Sequence, residues 1–136
     1  MTLTDGDIFL AINPTVSGDS AHFHIVVKST KDDQLIVVYT TTKIEKVLKR
    51  CRWREGIVFD EREPETVVRL SSKDSDSFSS NCIVDCNMVR MWPERYFLTM
   101  NGFKKVQPLK NQRALVNIKN AIRASIVVEE RVKMKL

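Results

Sequence analysis

Two histidines stand two residues apart in the segment Ala21-His22-Phe23-His24-Ile25-Val26-Val27-Lys28. Alternate residues of a strand share a face, so His22 and His24 are expected to leave the chain together, and imidazole titrates in the range that proton transfer at neutral pH requires. Metal-free RNA cleavage needs a base for the 2′-hydroxyl, an acid for the leaving oxygen, and donors for the charge that builds on phosphorus. The two imidazoles supply the acid/base pair. Thr41, with Lys28 and Lys43, supplies phosphate donors, and Asp85 is a further candidate base. The catalytic candidates are therefore His22, His24, Thr41 and Asp85. The plainer reading of the same residues is two exposed histidines on a polar face, Asp85 and Asn87 supporting a strand edge, and threonines capping a helix.

These residues need a scaffold, and its centre is Leu35-Ile36-Val37-Val38-Tyr39 running into Thr40-Thr41-Thr42. So short a run of β-branched residues reads as a central strand buried on both faces, delivering hydroxyls to one rim of a sheet. Ahead of it, Ile8 to Ile12 forms a first strand after the Asp5-Gly6 turn and stops at Asn13-Pro14. Gly18 and Asp19 lie in a surface loop. The histidine strand alternates Ala21, Phe23, Ile25 and Val27 against His22, His24, Val26 and Lys28, and the turn at Lys31 to Asp33 joins it to the central strand as a hairpin.

Beyond the threonines the period changes. Ile44, Val47, Leu48 and Cys51 are spaced for a helix, with Thr42 and Glu45 in a capping-box pattern. Lys43, Lys46, Lys49, Arg50, Arg52 and Arg54 make this helix and its exit basic, a solvated face or an RNA track. Trp53 among them is either a stacking platform for a base or a core residue.

Further strands are expected at Ile57 to Phe59, at Thr66 to Leu70, and at Cys82 to Met88, where Asp85 and Asn87 share a face. The serine- and aspartate-rich segment 71–80 reads as a mobile loop. Trp92-Pro93 is a break, Tyr96 to Leu98 a short strand, and Asn101-Gly102 a turn. An amphipathic helix is expected over about 111–127, with Leu115, Ile118, Ile122 and Ile126 on its apolar stripe, followed by a charged tail over about 129–136 that frays or adds an edge strand.

One domain accounts for 136 residues, a length that buries roughly 68% of the unfolded surface without a staple. The net charge of +5 modestly favours a polyanionic partner. Three cysteines, Cys51, Cys82 and Cys86, do not make a disulfide framework. On one strand Cys82 and Cys86 would sit about 13 Å apart, too far for a bridge, and a zinc site joining them to His22 and His24 lacks a close-paired cysteine motif. No cofactor is expected. No stretch reaches the ~20 apolar residues of a membrane span and no signal segment leads the chain, so a cytoplasmic protein is expected.

Short strands, an early basic helix and a closing amphipathic helix point to a mainly β chain folded as a small, partly closed barrel. At several places the chain resembles the PemK and MazF family of toxins from bacterial toxin–antitoxin systems. Gly6-Asp7-Ile8 with Pro14-Thr15 is similar to the family's opening segment. The Gly18-Asp19 loop leading to Ile25-Val26-Val27, the strand ending Tyr39-Thr40-Thr41-Thr42, and the later strand from Val84 to Arg90 follow in the family's order. The resemblance implies an SH3-like barrel, usually dimeric, that cuts single-stranded RNA without a metal and is silenced by an antitoxin protein. It adds Asp19 and Arg90 to Lys28, Lys43 and Arg50 as expected RNA-binding residues. This chain departs from the pattern in having Phe23-His24 for an Arg-Pro pair, Asn87 for an aspartate, and Asp85 where the PemK branch has an arginine. The alternative is a non-catalytic barrel that binds nucleic acid or a protein.

Overall fold

Strand-forming residues dominate the first third of the chain, and they fold as the alternation dictates. The computed structural model describes residues 2–12, 20–57 and 62–136. Strand β1 (Ile8–Ile12) pairs antiparallel with β2 (His22–Ser29), and β2 turns through Asp33, which takes a positive φ of 59°, into β3 (Gln34–Thr41). The helix α1 (Ile44–Arg54) follows directly. Strands β4 (Val67–Leu70) and β5 (Cys82–Asp85) form a second hairpin. After β6 (Arg90–Pro93) come the short helix α2 (Glu94–Leu98), strand β7 (Asn101–Val106), helix α3 (Gln112–Ala124) and the one-turn helix α4 (Glu130–Lys133).

The seven strands make one antiparallel sheet in the order β4-β5-β3-β2-β1-β7, with β6 also paired to β3. Strand β3 is shared lengthwise: its first half, Gln34 to Val37, pairs with β6, and its end, Thr40 and Thr41, pairs with β5. Among the described residues no ladder joins β4 or β6 to β7. The expected mainly β chain with a basic helix after the central strand and an amphipathic helix near the end is therefore present, but the sheet is open where a barrel was expected, because β7 pairs with β1 alone.

Period-two alternation sends successive residues of the central strands into two different cores. Ile8, Ile25, Val27, Ile36 and Val38 pack under Leu115, Ile118 and Ile122 of α3. Phe9, Ala11, Val26, Leu35 and Val37 pack on the other side against Leu3 and Phe97. A third cluster docks α1 through Val47, Leu48 and Cys51 onto Val67 and Ile83. At about 25 cal/mol per Å² of apolar surface, each of these large side chains contributes roughly 1.5–3 kcal/mol.

Several local expectations change. Tyr96 to Leu98 belongs to α2, not to a strand, because the chain re-enters a helix after Pro93, whose fixed φ suits a helix start. The tail forms α4, with Val132 buried, in place of an edge strand. Helix α3 ends at Ala124, and Ile126, expected on its stripe, is 84% exposed. Segment 71–80 is anchored: Phe78 and Ser75 are buried, and the Ser75 and Ser77 hydroxyls donate to the Gln107 carbonyl at 3.0 and 2.8 Å. Strand β5 stops at Asp85, and residues 86 and 87 turn away. Ile57 lies outside any strand, and Val58 and Phe59 fall outside the described residues.

Candidate functional site

The rim formed by the start of β2, the end of β3 and the start of α1 carries the candidate site. Antiparallel register sets His24 opposite Tyr39, which brings His22 alongside the threonines at the end of β3. A cleft of about 300 Å³ opens between this rim and α1, lined by His22, Thr41, Lys43, Lys46 and Arg50 among others, and among the described residues no carboxylate lines it. Helix α1 can present these cations because its apolar positions, Val47, Leu48 and Cys51, all turn to the core. The expected capping box is not formed: Lys43 is the N-cap residue and makes no side-chain cap. Thr41 instead accepts the Lys43 backbone N–H on its Oγ1 at 3.2 Å, which ties the strand end to the helix entry.

His22 is half-buried at the mouth of the cleft. Its Nδ1 lies 2.9 Å from the Thr40 carbonyl oxygen, which can only accept, so Nδ1 carries the proton and the neutral ring keeps its lone pair on Nε2. The ring meets Tyr39 edge-on at 5.4 Å and 69°. This is an imidazole held in one tautomer, with no hydrogen bond to Nε2 among the described residues.

His24 is a different object, and both sequence readings of it are corrected. It is neither exposed on a polar face nor available as His22's partner: it is 1% exposed and stacks flat on Phe9 at 5.0 Å and 5°. The face that alternation marks as polar is covered by the second core, to which α2 and β7 contribute Phe97 and Phe103. The His24 Nδ1–H donates to the His22 carbonyl at 2.9 Å, while Nε2 has no hydrogen-bond partner among the described residues. Burial pushes its pKa down to about 4, so the ring is neutral at physiological pH and does not serve as the imidazolium acid.

Asp85 is likewise not a free base. Arg50 donates to its Oδ2 through Nε at 3.1 Å and Nη2 at 2.8 Å, and Asn87 donates to its Oδ1 through the backbone N–H at 3.0 Å and Nδ2 at 2.8 Å. Burial opposes ionisation of this carboxyl, yet the donors from Asn87 and Arg50 prevail and hold its pKa below the usual value. Its role is to fix Arg50 at the cleft.

Asn87 extends this arrangement inward. Its Nδ2 also donates to the Thr66 hydroxyl at 2.9 Å, that hydroxyl donates to Glu55 Oε2 at 2.5 Å, and Asn87 Oδ1 accepts the Ser125 hydroxyl at 2.7 Å. A partly buried polar network joining the ends of α1 and α3 to the β4–β5 hairpin thus stands behind the cleft arginine. The sequence reading placed Asp85 and Asn87 together; their partners lie between 21 and 38 residues away and carry no local signal.

The remaining candidates separate. Lys43 lines the cleft with Lys46, which the sequence reading placed only on the basic helix. Lys28 sits six residues along β2 from His22, about 20 Å at strand rise, and pairs with Asp5 at 3.8 Å. It is not part of the cleft. Arg90 lies over Trp92 at 5.8 Å and beside His24 and Tyr39, at a small gap behind the rim. Asp19 falls outside the described residues.

No family model and no curated protein matches the chain. The site therefore has to be read from its own chemistry. Among the described residues no three His, Cys, Asp or Glu side chains gather to hold a metal, and the zinc set imagined from Cys82, Cys86, His22 and His24 is not assembled. Cys51, Cys82 and Cys86 are buried free thiols, and among the described residues no helix is long and apolar enough to cross a membrane.

Proposed function

We propose that this chain is a PemK/MazF-like endoribonuclease toxin that cuts single-stranded RNA at the β2–β3–α1 cleft, on an opened relative of the SH3-like barrel. One observation carries the reading: His22, whose Nε2 has no hydrogen-bond partner among the described residues, shares a cleft with Thr41, Lys43, Lys46 and Arg50 that no described carboxylate lines. The cations hold the phosphates and the imidazole handles the proton. Nε2 takes the 2′-hydroxyl proton, the 2′-oxygen attacks phosphorus, and the bond to the 5′-oxygen breaks. The imidazolium returns its proton to that oxygen, leaving a 2′,3′-cyclic phosphate. Arg50, held by Asp85, and the Thr41 hydroxyl meet the charge on the phosphoryl oxygens, the step at which fixed donors act most strongly. An antitoxin protein and a homodimeric form follow from the family resemblance.

The withdrawal of His24 and Asp85 favours a second reading, a non-catalytic module that binds single-stranded RNA at the same cleft, because one imidazole must then serve as both base and acid. A panel of single-stranded RNAs incubated in EDTA separates the two. Cleavage by the wild type, absent for His22→Ala and for substrates with a 2′-deoxy residue at the scissile position, supports the nuclease. Salt-sensitive binding without cleavage supports the module. Neither binding nor cleavage removes both.

A further inference from the structure

Helix α1 carries five cations and one carboxylate, Glu45, in eleven residues. At 3.6 residues per turn, positions 46, 50 and 53 fall within one stripe about 60° wide, and Glu45 projects from another side. Two members of that stripe, Lys46 and Arg50, line the cleft. The third is Trp53, 78% exposed. The other tryptophan behaves as expected for a packed ring, stacked on Phe97 at 5.5 Å and 26°. Trp53 thus leaves a large apolar ring in water on the flank of the cleft, one turn beyond its arginine and about 10 Å from Lys46 along the axis.

Its surroundings favour one kind of ligand. Glu55, two residues on, turns its carboxylate inward, accepting from Thr66 and from the Glu65 backbone N–H, and so does not face a polyanion. A cationic cleft with an exposed ring one helical turn beyond its arginine combines the two elements by which single strands are held without reading sequence: charge for the phosphates and a face for a base.

We infer that Trp53 is a base-stacking platform for the single-stranded RNA whose phosphates occupy the Lys46 and Arg50 end of the cleft. This rests on the RNA reading of the cleft and names the contact that extends it along α1.

The test is titration of a uridine decamer, and of a decamer with an abasic backbone, into wild type, Trp53→Ala, Trp53→Phe and Lys46→Ala in EDTA, at several salt concentrations and with tryptophan emission recorded. Where cleavage intervenes, a 2′-O-methyl decamer replaces the RNA. Trp53→Ala is expected to weaken decamer binding by about 5- to 150-fold with the salt slope unchanged, as loss of one stacked base requires. Trp53→Phe recovers most of that loss, the abasic strand does not distinguish the tryptophan variants, and wild-type emission is quenched on binding. Lys46→Ala lowers the salt slope by about one instead.

Equal decamer binding by wild type and Trp53→Ala, with the Lys46 effect intact, overturns the platform and leaves the RNA cleft standing. Absence of decamer binding by the wild type overturns both. Concentration-dependent self-association abolished by Trp53→Ala, with decamer binding unaffected, assigns the ring to contact between copies of the chain and likewise overturns the platform.

Discussion

Arg50 grips Asp85 with two guanidinium nitrogens on a single carboxylate oxygen, while Asn87 occupies the other. The carboxylate side chain is 3% exposed and the arginine 38%, so the pair reaches from the interior to the cleft wall. Removing the buried member leaves Arg50 unanchored and the Asn87 backbone N–H without its acceptor. Asp85→Ala is expected to lose about 2–4 kcal/mol of folding stability. Arg50→Ala loses less, because Asn87 still satisfies one oxygen, but it weakens RNA binding more. Urea midpoints with parallel RNA titrations check both orders.

His24 makes stability depend on pH in a defined direction. The unfolded chain binds a proton on this ring near pH 6.5, whereas burial delays the folded chain until about 4. Between those values the unfolded state holds more protons, so stability is complete above about 6.5 and falls as the pH is lowered through this window. A shift of that size corresponds to about 3 kcal/mol. His24→Phe, which keeps a flat ring against Phe9 and Tyr39, is expected to remove most of this slope between pH 6.5 and 4.5. Urea unfolding at those two pH values measures it.

His22 differs from its neighbour in what its loss should change. His22→Ala removes the uncommitted nitrogen without opening a core, and is expected to lower cleavage by about 10²- to 10⁴-fold while changing RNA affinity less than about threefold. Single-turnover cleavage beside equilibrium binding of a non-cleavable analogue separates these effects. A parallel loss of affinity would make His22 a binding residue.

The three thiols should be silent in the native state. Burial pushes Cys51 and Cys82 up to about 11 and raises Cys86 further, so little thiolate exists at neutral pH and the sulfurs are covered. A thiol-specific disulfide reagent is expected to label none of them within minutes at pH 7.5, and all three in urea. Fast labelling of one cysteine in the folded protein would show that its helix or strand opens locally.

Much of this fold is legible in the sequence wherever an element is long enough to show its period. Strands β1 to β3 and the helices α1 and α3 follow from alternation and from the spacing of Ile44, Val47, Leu48 and Cys51 or of Leu115, Ile118 and Ile122. Runs of three to five residues carry no such signal, and Tyr96 to Leu98 is as apolar in a helix as in a strand. The fate of His24 is not written near it: Phe97 and Phe103, which cover its side of the sheet, arrive more than 70 residues later. The partners of Asp85 are similarly remote. A carboxylate beside an asparagine looks like a reactive pair in one dimension and is an anchor for an arginine in three.

The division of β3 between two neighbours has a mechanical effect on the cleft. Gln34 to Val37 are fastened to one strand and Thr40 to Thr41 to another, so sliding this segment by one residue would misplace two ladders together and turn both buried faces over. The tip that bears Thr41 is consequently the end of a doubly clamped rod, and the helix that follows is fastened to the same sheet by its apolar cluster and by the Arg50–Asp85 pair. Lys43, just past that tip, therefore enters α1 from a fixed point, and the Thr41 hydroxyl that accepts its backbone N–H sets where the helix begins.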